Sequence, residues 1–143
     1  MDKFSKLISV RWSDLDPNFH LRHSVYYDFG AQQRIELLQE MGLTPKLMTE
    51  QHFGPVIFRE ECVFKREIRL NEEVTIHVKL SRLKPDGSRW SIEHEFLSAD
   101  KKVLAVLTVD GAWMDTHLRK LVNPTPEIVL QVMNSFPKSE SFE

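Results

Sequence analysis

Two kinds of hydrophobic repeat run along the chain, and together they predict five strands and one long helix. Apolar and polar residues alternate, as in half-buried strands, over Phe4 to Trp12, Val56 to Lys65, Val74 to Ser81 and Arg89 to Phe96, and a further apolar segment runs from Val103 to Val109. The last segment is apolar on both faces, which predicts a central strand that could continue to Met114.

The long helix is predicted to start at Ser24, an N-cap residue, and to run to about Met41, where Gly42 and Pro45 supply the stop. Its apolar arc consists of Tyr26, Phe29, Gly30, Leu37 and Met41, widened by Ala31 and Leu38. Two polar residues, Gln33 and Arg34, fall within this arc. A helix that buries so much of its surface is expected where a sheet wraps around it.

Shorter elements complete the pattern. Thr44 and Pro45 open a predicted helix over 46–51, and Thr125-Pro126-Glu127 opens a last amphipathic helix that ends near Phe136. Because consecutive strands joined by short turns pair antiparallel, we predict an α+β fold with one long helix against one curved antiparallel sheet. We expect a single domain over 1–136 followed by a polar tail over 137–143. A single sheet leaves its edges exposed, so we also expect a homo-oligomer paired edge to edge.

Composition narrows the class of protein. The 143 residues are 41% hydrophobic and 28% charged, as in a soluble globular domain, and the net charge of -2 argues against a nucleic-acid binder. Cys62 is the single cysteine, which excludes an intrachain disulfide and a cysteine-based zinc site. The start of the chain lacks a long apolar segment, and the longest apolar run, Val103 to Leu107, is too short to span a bilayer. We expect a cytoplasmic protein that binds no membrane.

The candidate chemistry is concentrated between the first strand and the long helix, in the sequence RWSDLDPNFHLRHSVYYDFGAQQR. Asp16 lies just before the helix, whose N-terminus near His23 presents free backbone N–H groups. A carboxylate there could attack a carbonyl or deprotonate a water, while the N–H groups stabilise an oxyanion. On spacing alone, the commoner explanation is that Asp14 or Asp16 satisfies turn amides.

Other polar residues allow alternatives. His20 and His23, with the nearby acids, allow a metal-dependent hydrolase, but the spacing HxxH lacks the helical HExxH form, and loop hydrogen bonds are the preferred interpretation. Arg34 is expected to pair with a helix-end carbonyl or with a buried acid such as Glu60 or Glu61, and His94 to be a hydrogen-bonded core histidine. The basic residues that could meet phosphates are Lys65, Arg66, Lys84, Arg89, Lys101 and Lys102.

The segment DLDPNFHLRHSVYYDFGAQQR resembles the loop-and-helix signature of hotdog-fold acyl-CoA thioesterases of the 4-hydroxybenzoyl-CoA thioesterase type. That signature is roughly D-x-D-x-x-G-H-x-N-N-x-x-Y, followed eight residues later by Arg. The matching positions are Asp14, Asp16, His20, Tyr26 and Arg34. The remaining strands and the segment RKLVNPTPE follow the family's order of elements.

The resemblance implies a five-stranded antiparallel sheet wrapped around one long helix, in dimers or tetramers with active sites at the subunit interface. It implies hydrolysis of an acyl-CoA to free acid and CoA, with no cofactor and no metal. By carry-over, Asp16 would be the nucleophile or general base, and the backbone N–H of His23 would be the oxyanion donor. His20 and Tyr26 would shape the loop and the substrate pocket.

Three departures from the signature concern the substrate. Phe19 replaces a glycine, which implies a different turn or a pocket narrowed by an aromatic ring, and Arg22 and His23 replace two asparagines. We therefore expect Phe19 and Arg22 to join His20 and Tyr26 in binding the substrate. The acyl group stays open, as does a non-catalytic protein of the same fold that binds acyl-CoA or an acyl carrier. No motif of the hotdog dehydratases is present in the sequence.

Overall fold

One antiparallel sheet and one long helix make up most of this computed structural model, which describes residues 2–143. The strands are β1 (Ser5–Ile8), β2 (Phe53–Phe64), β3 (Val74–Leu83), β4 (Arg89–Leu97), β5 (Val103–Asp115) and β6 (Lys120–Leu121). The helices are α1 (Val25–Glu40), α2 (Pro45–Glu50) and α3 (Glu127–Asn134). The strand order is β1-β3-β4-β5-β2, and the two-residue β6 pairs with β5. No helix among the described residues is both long and apolar enough to cross a membrane.

The strand pattern of the sequence is confirmed, with one correction at β1. The segment that is apolar on both faces is β5, which lies between β4 and β2 as a central strand. The first strand was predicted to reach Trp12, but β1 ends at Ile8 and a 3-10 turn follows over Trp12–Asp14. The reason is local: the Asp14 carboxylate accepts hydrogen bonds from the backbone and side chain of Arg11, which bends the chain before the strand can continue.

Helix α1 packs most of its predicted arc against the inner face of the sheet, but Ala31, which was predicted to widen the arc, is exposed. On β3 the residues of that face, from Val74 to Leu80 at every second position, are fully buried. Gln33, a polar residue within the arc, donates from Nε2 to the carbonyl oxygen of Ile76 at 2.9 Å. At Gly30 the helix approaches β5 so closely that a Cβ atom would collide with the buried side chain of Leu107.

A second polar contact in the core joins α1 to β4. Arg34 Nη1 lies 3.1 Å from Nε2 of the fully buried His94, whose Nδ1 lies 3.0 Å from the carbonyl oxygen of Leu107. Because a guanidinium only donates, Nε2 is the acceptor and Nδ1 carries the proton that it donates to Leu107. The prediction that His94 is a hydrogen-bonded core histidine is confirmed. Of the predicted acidic partners of Arg34, Glu60 lies at 4.0 Å, but it is exposed, so the expectation of a buried acid is wrong.

Strand β2 is an exposed edge that carries apolar side chains. Ile57, Phe58, Val63 and Phe64 are each about half exposed. The register of β2 against β5 shifts between Ile57 and Arg59, so Phe58 lies in a bulge. At the opposite side of the sheet, β1 pairs with residues 74–77 of β3 and forms the edge. Farther along β3, the C-terminal segment covers the edge, because Leu80 exchanges backbone hydrogen bonds with Pro137 and Ser139.

The buried His94 predicts how stability depends on pH. Burial and, after it, the charge of Arg34 lower the pKa of His94 from 6.5 to about 3. The unfolded chain therefore takes up this proton near pH 6.5 and the folded chain only near pH 3, so stability is full above pH 6.5 and is lost as the pH falls. From this one group we expect the free energy of unfolding to fall by about 1.4 kcal/mol per pH unit below pH 6.

Urea unfolding between pH 7 and 5 measures this slope. His94→Gln is expected to reduce the slope by the amount that corresponds to one fewer proton taken up on unfolding. His117→Gln, at an exposed histidine, is the control and is expected to keep the slope of the wild type. An equal slope in wild type and His94→Gln would contradict the assignment.

Candidate functional site

The loop between β1 and α1 is held together by Asp14. Its carboxylate is buried and bonded to Arg11, and these hydrogen bonds hold the pKa of Asp14 below its usual value. Its carbonyl oxygen accepts from the backbone N–H of Arg22 at 2.7 Å, and Leu15 and Leu21 form an antiparallel bridge across the loop. Of the two acids in the loop, Asp14 therefore has the structural role.

Asp16 starts a tight turn within this loop. Its backbone carbonyl accepts from Phe19 N at 3.0 Å, and its N–H donates to the carbonyl oxygen of His20 at 2.8 Å. One carboxylate oxygen, Oδ1, accepts from the N–H groups of Asn18 at 2.8 Å and His20 at 3.2 Å. Within residues 2–143, the other oxygen, Oδ2, accepts no hydrogen bond. The turn thus orients the carboxylate and leaves one of its oxygens available.

The N-terminus of α1 lacks the predicted side-chain cap. Ser24 occupies the N-cap position, but its backbone is already helical, with φ -72° and ψ -24°, and its hydroxyl accepts from Arg22 Nε at 3.1 Å instead of from a helix N–H. The Arg22 guanidinium also donates to the carbonyl oxygen of Ser13 at 2.9 Å. The backbone N–H of His23 donates to no acceptor in the part of the chain that the structure describes. An uncapped helix start keeps such donors available to a ligand.

Asp16 opens onto a cavity of about 270 Å³, which we call the Asp16 cleft. The residues that line it are Asp16, His20, Leu21, Tyr26, Phe64, Lys65, Arg66 and Glu67. Tyr26 is nearly fully buried and packs edge-on against Phe64, with ring centroids 4.9 Å apart, and burial raises its pKa to about 12. His20 Nε2 lies 3.4 Å from Oε2 of Glu67.

The cleft contains three of the six predicted site residues: Asp16, His20 and Tyr26. Phe19, Arg22 and His23 are not among its lining residues. Phe19 adopts the left-handed backbone conformation, with φ 64°, and its exposed ring packs on Trp12 with centroids 5.8 Å apart. That conformation explains the glycine of the family signature, since a side chain there costs about 1–2 kcal/mol.

The cleft also contains residues that the motif did not identify, Phe64 to Glu67 at the end of β2. Their one signal in the sequence is the basic pair Lys65-Arg66 directly after an apolar strand. As for a metal-dependent mechanism, no three histidine, cysteine or acidic side chains among residues 2–143 are grouped so that they could hold a metal ion. The cleft thus combines an acid and a basic rim, and the first turn of α1 contributes Tyr26 to its lining.

Solved structures share this fold. SAV2348 of Staphylococcus aureus, solved in complex with CoA, is 15% identical with a TM-score of 0.85, over 98% of this chain and 89% of that one. Slr0204 of Synechocystis, a 1,4-dihydroxy-2-naphthoyl-CoA thioesterase, is 13% identical with a TM-score of 0.81, and the match covers 92% of this chain and 96% of that one. YbaW of Escherichia coli, a probable thioesterase, is 20% identical with a TM-score of 0.79, and the match covers 91% of this chain and 98% of that one.

No curated protein matches the chain. At identities this low, the likeness to solved structures shows the fold alone, and it confirms the hotdog arrangement of a sheet curled around α1. The family comes from the sequence itself. A family model matches residues 10–132, which include the loop with Asp16, all of α1 and the strands from β2 to β6. The chain therefore belongs to the thioesterase-like superfamily.

Proposed function

We propose that the protein is an acyl-CoA thioesterase that hydrolyses a thioester to a free acid and CoA in the Asp16 cleft. The observation that carries the proposal is the oriented carboxylate of Asp16, with Oδ2 available in the cleft, in a member of the thioesterase-like superfamily. The helix that follows it in the chain starts without a side-chain cap. The basic pair Lys65-Arg66 at the rim suits the phosphates of CoA. Two of the similar structures, one bound to CoA and one a CoA thioesterase, support the same class of substrate.

The chemistry needs one carboxylate and one oxyanion donor. As general base, Asp16 would take a proton from a water, whose oxygen attacks the thioester carbonyl, and the tetrahedral intermediate would then break its C–S bond and release CoA thiolate. As nucleophile, Asp16 would form an acyl anhydride and release CoA thiolate, and water would then hydrolyse the anhydride. In both routes, negative charge develops on the carbonyl oxygen, and the N–H of His23 is the proposed donor that stabilises it. Neither route requires a metal.

We further propose that the active form is a homo-oligomer assembled through β2. This strand exposes apolar side chains on an unpaired edge, and such an edge is the part of a sheet most able to pair with a second copy. The Asp16 cleft ends at Phe64 and Lys65, at one end of this edge. A partner strand there would complete one wall of the cleft, which is how the site would come to lie at a subunit interface.

Asp16→Asn is expected to lower kcat for acyl-CoA hydrolysis by about 100-fold or more, because the amide neither attacks nor accepts the proton. Folding should persist, since the asparagine oxygen can still accept from Asn18 and His20. Release of the CoA thiol over a panel of aliphatic and aryl acyl-CoAs measures activity. Asp28→Asn, at an exposed acid in the first turn of α1, is the matched control and should stay near wild type.

Unchanged hydrolysis by Asp16→Asn would disprove the role of Asp16. Binding of acyl-CoA by the wild type with no hydrolysis over the whole panel would instead support the non-catalytic acyl-CoA or acyl-carrier binding protein.

The role of His23 is tested at its backbone. His23→Ala removes the ring but keeps the N–H, so activity should remain. His23→Pro removes the N–H near a helix start, where proline is tolerated, and should lower kcat by about 100-fold with KM little changed. Circular dichroism and thermal melting check that both variants are folded. Equal losses in the two variants would assign the effect to the ring or to the loop, and would contradict the oxyanion role.

Phe58→Asp tests the β2 interface, because two carboxylates brought together at a symmetric edge repel each other. We expect a monomer by light scattering and loss of most activity. Leu7→Asp places the same charge at a residue of equal exposure, 56%, on the opposite edge strand β1, and should leave both properties unchanged. A dimer with full activity for Phe58→Asp would rule out assembly through β2.

A further inference from the structure

An exposed aromatic pair lies on the loop that carries Asp16. The rings of Trp12 and Phe19 pack with centroids 5.8 Å apart and an interplanar angle of 42°, and the two residues are 69% and 59% exposed. Phe19 lies in the tight turn that starts at Asp16, and Trp12 begins the 3-10 turn before it. We call this contact the Trp12–Phe19 pair. Neither of its residues lines the Asp16 cleft.

Phe19 is unfavourable at its position in two respects. Its φ of 64° lies in the left-handed region, which bulky side chains avoid, and its apolar ring is mostly exposed. Within residues 2–143, the other non-glycine residues with positive φ are all polar, namely His52, Asn71, Lys101 and Arg119. A strained residue persists where its surroundings hold it in place. For the side chain of Phe19, the aromatic contact that does so is the one with Trp12.

The backbone of residue 19 controls the hydrogen bonds of Asp16. The N–H of Phe19 donates to the carbonyl oxygen of Asp16 at 3.0 Å. The next peptide unit carries the N–H of His20, which donates to Oδ1 of Asp16 at 3.2 Å. Because φ and ψ of residue 19 set the direction of that peptide unit, a change to the commoner negative φ would turn the His20 N–H away from the carboxylate. The left-handed conformation therefore closes the turn around Oδ1.

Trp12 is held from the other side of the loop. Its carbonyl oxygen accepts from the N–H of Leu15 at 3.2 Å, and its 3-10 turn ends at Asp14. The buried Asp14 carboxylate accepts from the backbone and side chain of Arg11, which fixes the start of this turn. Trp12 thus offers its ring from an anchored backbone, and Phe19 packs on that ring.

We propose that the Trp12–Phe19 pair positions the catalytic carboxylate, by holding residue 19 in the left-handed conformation from which the His20 N–H reaches Asp16. Trp12 and Phe19 are positioning residues, which act through Asp16 and touch no reacting atom. Phe19 thereby has a role other than the substrate contact expected from the sequence. This inference rests on the proposed function and deepens it.

The first test removes one ring of the pair. Trp12→Ala is expected to lower kcat by about two- to tenfold, the range that corresponds to one aromatic contact, and to leave KM unchanged. The loss should be equal for butanoyl-CoA and dodecanoyl-CoA, since neither ring lines the cleft. Trp12→Phe keeps an aromatic partner and should retain most of the activity. Leu118→Ala, at an apolar residue that is 64% exposed, is the control and should match wild type. A loss confined to KM, or one that depends on the acyl group, would contradict the positioning role.

The second test asks whether glycine at residue 19 removes the need for Trp12. Glycine adopts a positive φ without strain, so the double variant Trp12→Ala/Phe19→Gly should recover most of the kcat lost in Trp12→Ala, although both rings are gone. Trp12→Ala/Phe19→Ala keeps a Cβ atom at residue 19 and should not recover. Trp12→Ala/Arg119→Gly is the matched control, because it relieves a similar strain, at φ 59°, at a residue that does not line the cleft.

Two results of this test would overturn the proposal. If Trp12→Ala/Phe19→Gly is no more active than Trp12→Ala, the rings act directly and not through the backbone of residue 19. If the Arg119→Gly control recovers activity equally, the effect belongs to the stability of the whole domain. Thermal melting of each variant checks that it is folded.

Hydrogen exchange separates this inference from the proposed function. Measured by NMR, the His20 amide should exchange about two- to tenfold faster in Trp12→Ala than in wild type, and Phe19→Gly should restore its protection. If wild type hydrolyses no acyl-CoA, or Asp16→Asn stays fully active, the proposed function fails, and this exchange pattern alone decides whether the pair positions the carboxylate. Equal exchange of the His20 amide in wild type and Trp12→Ala overturns the inference.

Discussion

The unpaired edge of β2 is the constraint on which the rest of the site depends. A sheet that wraps around one helix cannot close on itself here, so one long strand keeps a row of backbone groups without partners. The Asp16 cleft opens beside this strand, at Phe64 and Lys65. The fold thus leaves exposed the surface through which the proposed homo-oligomer would assemble, and burial of its apolar side chains would favour that pairing.

The position of α1 matters because its N-terminus carries the proposed oxyanion donor. Apolar packing alone tolerates small shifts of a helix along a sheet, whereas buried hydrogen bonds do not. Gln33 bonds to the backbone of β3, Arg34 to His94 on β4, and Gly30 allows close contact with β5. These contacts cost desolvation energy but define one register for the helix. The helix N-terminus is therefore fixed relative to the sheet from which the cleft is built.

Alternation and helical periodicity were sufficient to predict the five main strands, the central place of β5 and the buried face of α1 including Arg34, because each depends on residues close in sequence. The early end of β1 and the uncapped start of α1 depend on the side chains of Asp14 and Arg22, which compete with regular structure for local partners. Residues 64–67 line the Asp16 cleft because the fold brings them next to a loop about 50 residues earlier in the chain. A motif within that loop contains no information about such a distant segment. The motif predicts Asp16 as the acid, and only the fold shows which residues lie across the cleft from it.

The hydrogen bonds of Asp16 bear on both explanations that the sequence allowed for it. An aspartate that only satisfies turn amides would accept from Asn18 and His20, as Asp16 does. A reactive carboxylate also needs fixed orientation, because a freely rotating group loses much of the advantage of proximity. The turn uses Oδ1 and leaves Oδ2 for a substrate or a water, so one set of contacts serves both purposes. Asp14 differs in this respect, since both of its oxygens bond to Arg11 and its side chain is buried. Under the proposed function, the two acids, separated by one residue, would divide structure and chemistry between them.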